Sequence, residues 1–165
     1  METFKTLSQA LDAKKNGKWI QKIWSAGIID GEGCIHIGKR TGKNRKGFQL
    51  RVLVGNTDPK MILELKSIWG GWTGPCSKDK REGRKSAWQW IITDTPASKV
   101  LEEILPFLVC KKEQAVLAIE FAKSIKCNVD KRYKKYEIQN FLHGKLKDLK
   151  KIDFGVLAGG TDGNL

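Results

Sequence analysis

Apolar side chains recur every third or fourth residue over residues 18–29, as Trp19, Ile20, Ile23, Trp24 and Ile28, and every second residue from Cys34 onward. The first spacing is that of a helix with one buried face, the second that of a half-buried strand. The switch falls on Asp30-Gly31-Glu32-Gly33, where two glycines in three residues are expected to end the helix. Residues 34–40 then read as a first strand and 41–47 as a basic, glycine-containing turn. Residues 48–55 read as a second strand, with Leu50, Val52 and Val54 on one face and Gln49 and Arg51 on the other. Asn56-Thr57-Asp58-Pro59 starts a helix, carried by Ile62, Leu65, Ile68 and Trp69 to a stop at Gly70-Gly71. A third strand over 72–78, weakened by Gly74 and Pro75, and a fourth over 87–93 flank a charged turn. Thr95-Pro96 opens a helix that reaches Pro106-Phe107-Leu108, and two more amphipathic helices are expected over 113–125 and 136–152.

The order is αββαββα with helices appended, which predicts an α+β fold: a mostly antiparallel sheet covered by helices on one face. The expected organisation is a polar N-terminal extension (1–17), a core (18–125), a C-terminal helical extension (126–153) and a glycine-rich tail (154–165). The uncovered sheet face should carry His36, Arg40, Gln49, Arg51 and Gln89, with Lys39, Lys43, Arg45 and Lys46 at one turn. Ser77, Lys78, Lys80 and Arg81 should flank the other. Such side chains can bond base edges and phosphates, and a β-ribbon fits the major groove. A solvated polar face is the bland alternative.

Thirty-one Lys and Arg against eighteen Asp and Glu give a net charge of +13. A surplus of that size repels itself and is relieved by a polyanion, most commonly nucleic acid. Charge alone supplies affinity without sequence information or catalysis. No apolar stretch is long enough to span a membrane and no secretory signal is legible, so a cytoplasmic, organellar or nucleoid location is expected. Cys34, Cys76, Cys110 and Cys127 are scattered, without paired metal-ligand spacing, and read as free thiols.

Ser25-Ala26-Gly27-Ile28-Ile29-Asp30-Gly31-Glu32-Gly33 sets small residues on a helical stripe and ends in a carboxylate on a glycine turn. Small residues let a second helix approach closely. Glu32 and the Gly31 carbonyl are hard oxygen donors suited to Mg²⁺. The segment closely resembles the signature of the LAGLIDADG homing endonucleases, and the similarity extends over residues 18–125. Asn56-Thr57-Asp58-Pro59, Gly70-Gly71, and Leu105-Pro106-Phe107-Leu108 followed by Lys111 and Gln114 stand where such proteins place similar stretches.

The resemblance implies a β-saddle in the major groove of double-stranded DNA and a site-specific, metal-dependent endonuclease using Mg²⁺ or Mn²⁺. With one motif per chain it implies a homodimer on a near-palindromic target, joined through Ile23, Ala26, Gly27 and Asp30. Glu32 and Gly31 would hold the metal, and Asp30 would orient the helix end. Lys111 would stabilise developing charge, and Asn56 and Lys60 would organise solvent. The family often has Gln and Arg at the last two positions. The alternatives are a cleavage-deficient maturase acting on intron RNA, or a DNA-binding regulator. Residues 155–165 resemble the opening of a second motif with Asn164 at the acidic position; a glycine-rich tail is the simpler reading.

Overall fold

The computed structural model describes residues 7–40, 47–76, 86–126 and 132–151. A first helix, α1 (Leu7–Glu32), runs directly into β1 (Gly33–Lys39). Then follow β2 (Phe48–Asn56), α2 (Pro59–Trp69), β3 (Trp72–Pro75), β4 (Trp88–Thr93) and α3 (Asp94–Ile104). A single 3₁₀ turn (Leu105–Phe107) leads to α4 (Lys112–Lys126) and α5 (Arg132–Leu149). Every expected element is present, and the fold is the α+β arrangement read from periodicity.

The four strands form an antiparallel sheet in the order β1-β2-β4-β3. Antiparallel partners share a face. Ile35 and Ile37, Phe48, Leu50, Val52 and Val54, and Trp90 and Ile92 point to one side and are buried there beneath the helices. Ala97, Val100, Leu101 and Ile104 of α3, Ile62 and Leu65 of α2, and Ala118 and Phe121 of α4 complete the core. Trp90 is buried without penalty because its indole N–H donates to the Gly70 carbonyl at 2.7 Å.

The first helix differs from expectation at both ends, beginning at Leu7 rather than at residue 18. The first helix continues through Gly31 and Glu32 instead of ending near Ile29. Ser25, Ala26 and Ile29 are buried along its inner face, and the Ser25 hydroxyl accepts the Trp69 indole N–H at 2.8 Å. Packing of that face overrides the weak glycine preference of about 1 kcal/mol per residue. The turn out of the helix is made at Gly33, where an added Cβ would lie 2.5 Å from the Ile29 carbonyl oxygen. Only glycine lets the strand leave that close to the last helical turn.

Residues 126–153, read as an extension, include a helix that shares the core. Leu142 and Leu146 of α5 are buried in it, and Phe48 meets the rings of Tyr136 and His143 at 5.6 and 5.2 Å. His143 Nδ1 lies 2.6 Å from the Ile37 carbonyl, a geometry in which Nδ1 carries the proton. Thus α5 covers the edge strand β1, whose unpaired backbone groups would otherwise template another strand.

Candidate active site and nucleic-acid interface

Glu32 is the last residue of α1 and is exposed. Two residues earlier, Asp30 binds the loop before α4. Its carboxylate accepts the backbone N–H groups of Val109 at 2.7 Å and Lys111 at 2.8 Å. Lys111 Nζ in turn donates to the Asp30 carbonyl oxygen. That carbonyl is one of the orphan acceptors at a helix C-terminus, where a cation is also favoured by the helix dipole. Residues 79 and 81 positions apart are therefore tied into one unit, with the Lys111 ammonium fixed at the end of the helix that delivers Glu32.

Gly33 pairs with Val54, so Asn56, two residues further along β2, lies at the same end of the sheet. Its Oδ1 accepts the Asp58 N–H at 2.8 Å, and Asp58 caps α2 by accepting the Lys60 N–H at 2.9 Å. Among the described residues no three His, Cys, Asp or Glu side chains cluster as a metal cage. One chain supplies a carboxylate and backbone carbonyls, a hard-oxygen set that suits Mg²⁺ completed by water and phosphate.

The sheet face turned away from the helices carries Cys34 and His36 of β1, Gln49, Arg51 and Leu53 of β2, Gln89, Ile91 and Thr93 of β4, and Trp72 of β3. His36 and Arg51 are exposed cross-strand partners. Partial burial, followed by the positive charges of Lys150, His143, Arg51 and Lys147, lowers the His36 pKa.

Known proteins share this architecture. No family model matches the chain. It is 26% identical over 107 residues to the DNA endonuclease I-CvuI of Chlorella vulgaris, spanning 62% of this chain and 63% of that protein. The chain thus covers under two thirds of that relative's length. The crystal structure of homing endonuclease I-CvuI, in complex with its target in the presence of calcium, superposes with a TM-score of 0.69 at 20% identity. It covers 84% of this chain and 87% of that one. The archaeal intron-encoded homing endonuclease I-Vdi141I, complexed with DNA, gives 0.66 at 12% identity, over 85% and 93% of the two chains. I-SmaMI bound to uncleaved DNA target gives 0.57 at 19% identity, over 83% of this chain but only 47% of its own.

The chain has the fold of the LAGLIDADG homing endonucleases.

The motif segment occupies the C-terminal third of α1 and ends on Glu32, and Lys111 Nζ bonds the carbonyl of Asp30, two residues earlier. Other expectations need correction. Ala26 is 1% exposed, packed into the chain's own core, and has no surface to offer a partner. Ile23 is 51% exposed, and at Gly27 an added Cβ would meet nothing within 4 Å, so the open stripe of α1 is theirs. Asp30 bonds its own chain's loop through the Val109 and Lys111 amides.

Lys39, expected at the turn, is the last residue of β1 and pairs with Phe48 on the helix side of the pleat. Gln89 donates to the Pro75 carbonyl at 3.3 Å. Lys43, Arg45, Lys46, Ser77, Lys78, Lys80 and Arg81 lie outside the described residues, as does the 155–165 segment. Cys34, Cys76 and Cys110 are free thiols, as expected. Among the described residues no helix is long and apolar enough to cross a membrane.

Sequence reasoning missed two groups. Lys147 of α5 and Lys150, just beyond its end, bring positive charge to His36, and Lys150 Nζ lies 3.3 Å from the Cys34 sulfur. The lysine-rich end of α5 was the available signal, but nothing in it says which strand it meets. The other is Asp94, which bonds Arg40 and Gln49 from 54 and 45 residues away.

Proposed function

We propose that this protein is a site-specific endonuclease of double-stranded DNA, a homing endonuclease that cuts a long, near-palindromic site as a homodimer with Mg²⁺ or Mn²⁺. The observation that carries the reading is the unit at the end of α1: an exposed Glu32 two residues after the Asp30 carbonyl that holds a lysine ammonium. Glu32 and the Gly31 carbonyl would hold the cation, which when bound supplies the charge that activates water and stabilises the leaving oxygen. Lys111, held by its bond to the Asp30 carbonyl, would stabilise charge developing on a phosphate. Asn56 and Lys60, at the same end of the sheet, would order solvent around it. The open sheet face would enter the major groove, with His36, Gln49, Arg51 and Gln89 toward the bases.

Dimerisation is supported by α1. Ile20 and Ile23 are 66% and 51% exposed, and Gly27 and Gly31 would admit a second helix at close range. Two such helices related by a two-fold axis would bring two Glu32 residues together and give the target its symmetry. The relatives solved with DNA support the DNA-binding part of this reading.

The test is cleavage of a randomised duplex library with Mg²⁺ by the native chain and by Glu32→Gln. The expected result is one near-palindromic site, cut by the native chain alone and bound by both. Selective binding by both with cleavage by neither would sink the enzyme reading. It would leave a DNA-binding regulator, or a maturase whose partner is intron RNA.

A further inference from the structure

Asp94 stands at the junction of β4 and α3, and its φ of 54° makes it the one described non-glycine residue in the left-handed region. Its Oδ2 accepts two side-chain donors from the open face, Arg40 Nη2 at 3.0 Å and Gln49 Nε2 at 3.1 Å. Its Oδ1 is buried without a hydrogen-bond partner. A strained backbone and an unsatisfied carboxylate oxygen persist only where the surroundings impose them, and such features gather at functional sites. Capping does not account for the residue. The N-cap of α3 is Thr93, with no side-chain cap bond, and the carboxylate reaches across the sheet to β2 and the end of β1.

The consequence for Gln49 is a fixed amide. Nε2 donates to Asp94, and Oε1 accepts from Arg51 Nε at 3.2 Å. A glutamine reads adenine with its oxygen and nitrogen in a set order, so reversing the amide presents the wrong pattern. Arg40 is held by Asp94 and by its own Nε, which donates to the Phe48 carbonyl at 3.2 Å. An unrestrained arginine on this face would attach to any phosphate, adding affinity with no sequence information.

We propose that Asp94 is a positioning residue for base readout, orienting the Gln49 amide and holding Arg40 away from indiscriminate phosphate contacts. The inference rests on the DNA-recognition reading above. It adds one acidic side chain, in a chain of net charge +13, whose work is discrimination rather than affinity.

Asp94→Gly relieves the backbone and deletes the carboxylate, whereas Asp94→Asn tolerates the left-handed φ and keeps an acceptor oxygen. Selection from a randomised duplex library and a salt titration of non-specific binding are run on the full chain and both variants. For Asp94→Gly, base preference should flatten about tenfold at the base pairs that Gln49→Ala also flattens. Its non-specific affinity should rise, with the slope of log K against log salt steeper by about 0.9, one added phosphate contact. Asp94→Asn should fall between. The double variant with Gln49→Ala should lose nothing further at those base pairs.

Wild-type preference and salt slope in a folded Asp94→Gly chain would overturn the proposal and leave Asp94 as a strand terminator. A wild-type chain with no selective duplex binding would overturn the functional reading itself, and this inference with it.

Discussion

Replacing Asp30 by alanine removes a carboxylate that accepts two backbone N–H groups, at 2.7 Å from Val109 and 2.8 Å from Lys111. A hydrogen bond to a charged group contributes about 1.5–3 kcal/mol net when sheltered and less when solvated. The Lys111 bond is partly buried and the Val109 bond exposed, so about 2 and 1 kcal/mol are reasonable shares. Against this, a negative charge in the last turn of a helix opposes the dipole, and removing it returns about 0.5 kcal/mol. The net loss is about 2.5 kcal/mol, a factor of roughly 60 in the folding equilibrium.

Asp30→Asn keeps one acceptor and should cost about 1 kcal/mol. Urea denaturation with linear extrapolation measures both, at an unchanged slope. Under the proposed function, Asp30→Ala should also slow single-turnover cleavage more than it weakens binding, because Lys111 loses the loop that places it. The reasoning is refuted if Asp30→Ala stays within 0.5 kcal/mol of the native chain and the Val109 and Lys111 amides exchange at native rates.

Two further outcomes follow from the same end of the sheet. Gly33→Ala drives a Cβ to 2.5 Å from the Ile29 carbonyl oxygen and 2.7 Å from its Cα, so it should destabilise by about 2 kcal/mol or more, read by thermal or urea melting. His36 has a folded-state pKa below its ordinary 6.5, so the unfolded chain takes up the proton first. Its contribution to stability is therefore complete above pH 6.5 and lost as pH falls toward the lowered folded value. His36→Gln should flatten that acid limb, seen as a smaller difference between melts at pH 7.5 and 5.5.

Much of the fold was legible because period and turn chemistry are local. Alternation in β1 and β2 named the buried set, and Asn56-Thr57-Asp58-Pro59 named the start of α2. The length of α1 was not legible, because glycine propensity argued for an early stop. What overrules it is packing of Ser25, Ala26 and Ile29, together with a lysine from beyond α3 at the helix end. Ala26 was misplaced for a related reason: a stripe of small residues signals close approach without saying whether the neighbour belongs to the same chain. For Lys39, the pleat had to be counted against Phe48, a pairing that only the register supplies.

The sequence by itself determined the class of the fold, the faces of its strands and the acidic residue on which the motif ends, since each depends on neighbours within a few positions. Tertiary structure alone decided that Asp30 would hold the Lys111 loop, that α5 and the residue after it would bring Lys147 and Lys150 to His36, and that Asp94 would hold Arg40 and Gln49. Those contacts join residues 45 to 116 positions apart. Such pairings depend on how the helices and strands dock, and no local pattern of residues encodes them.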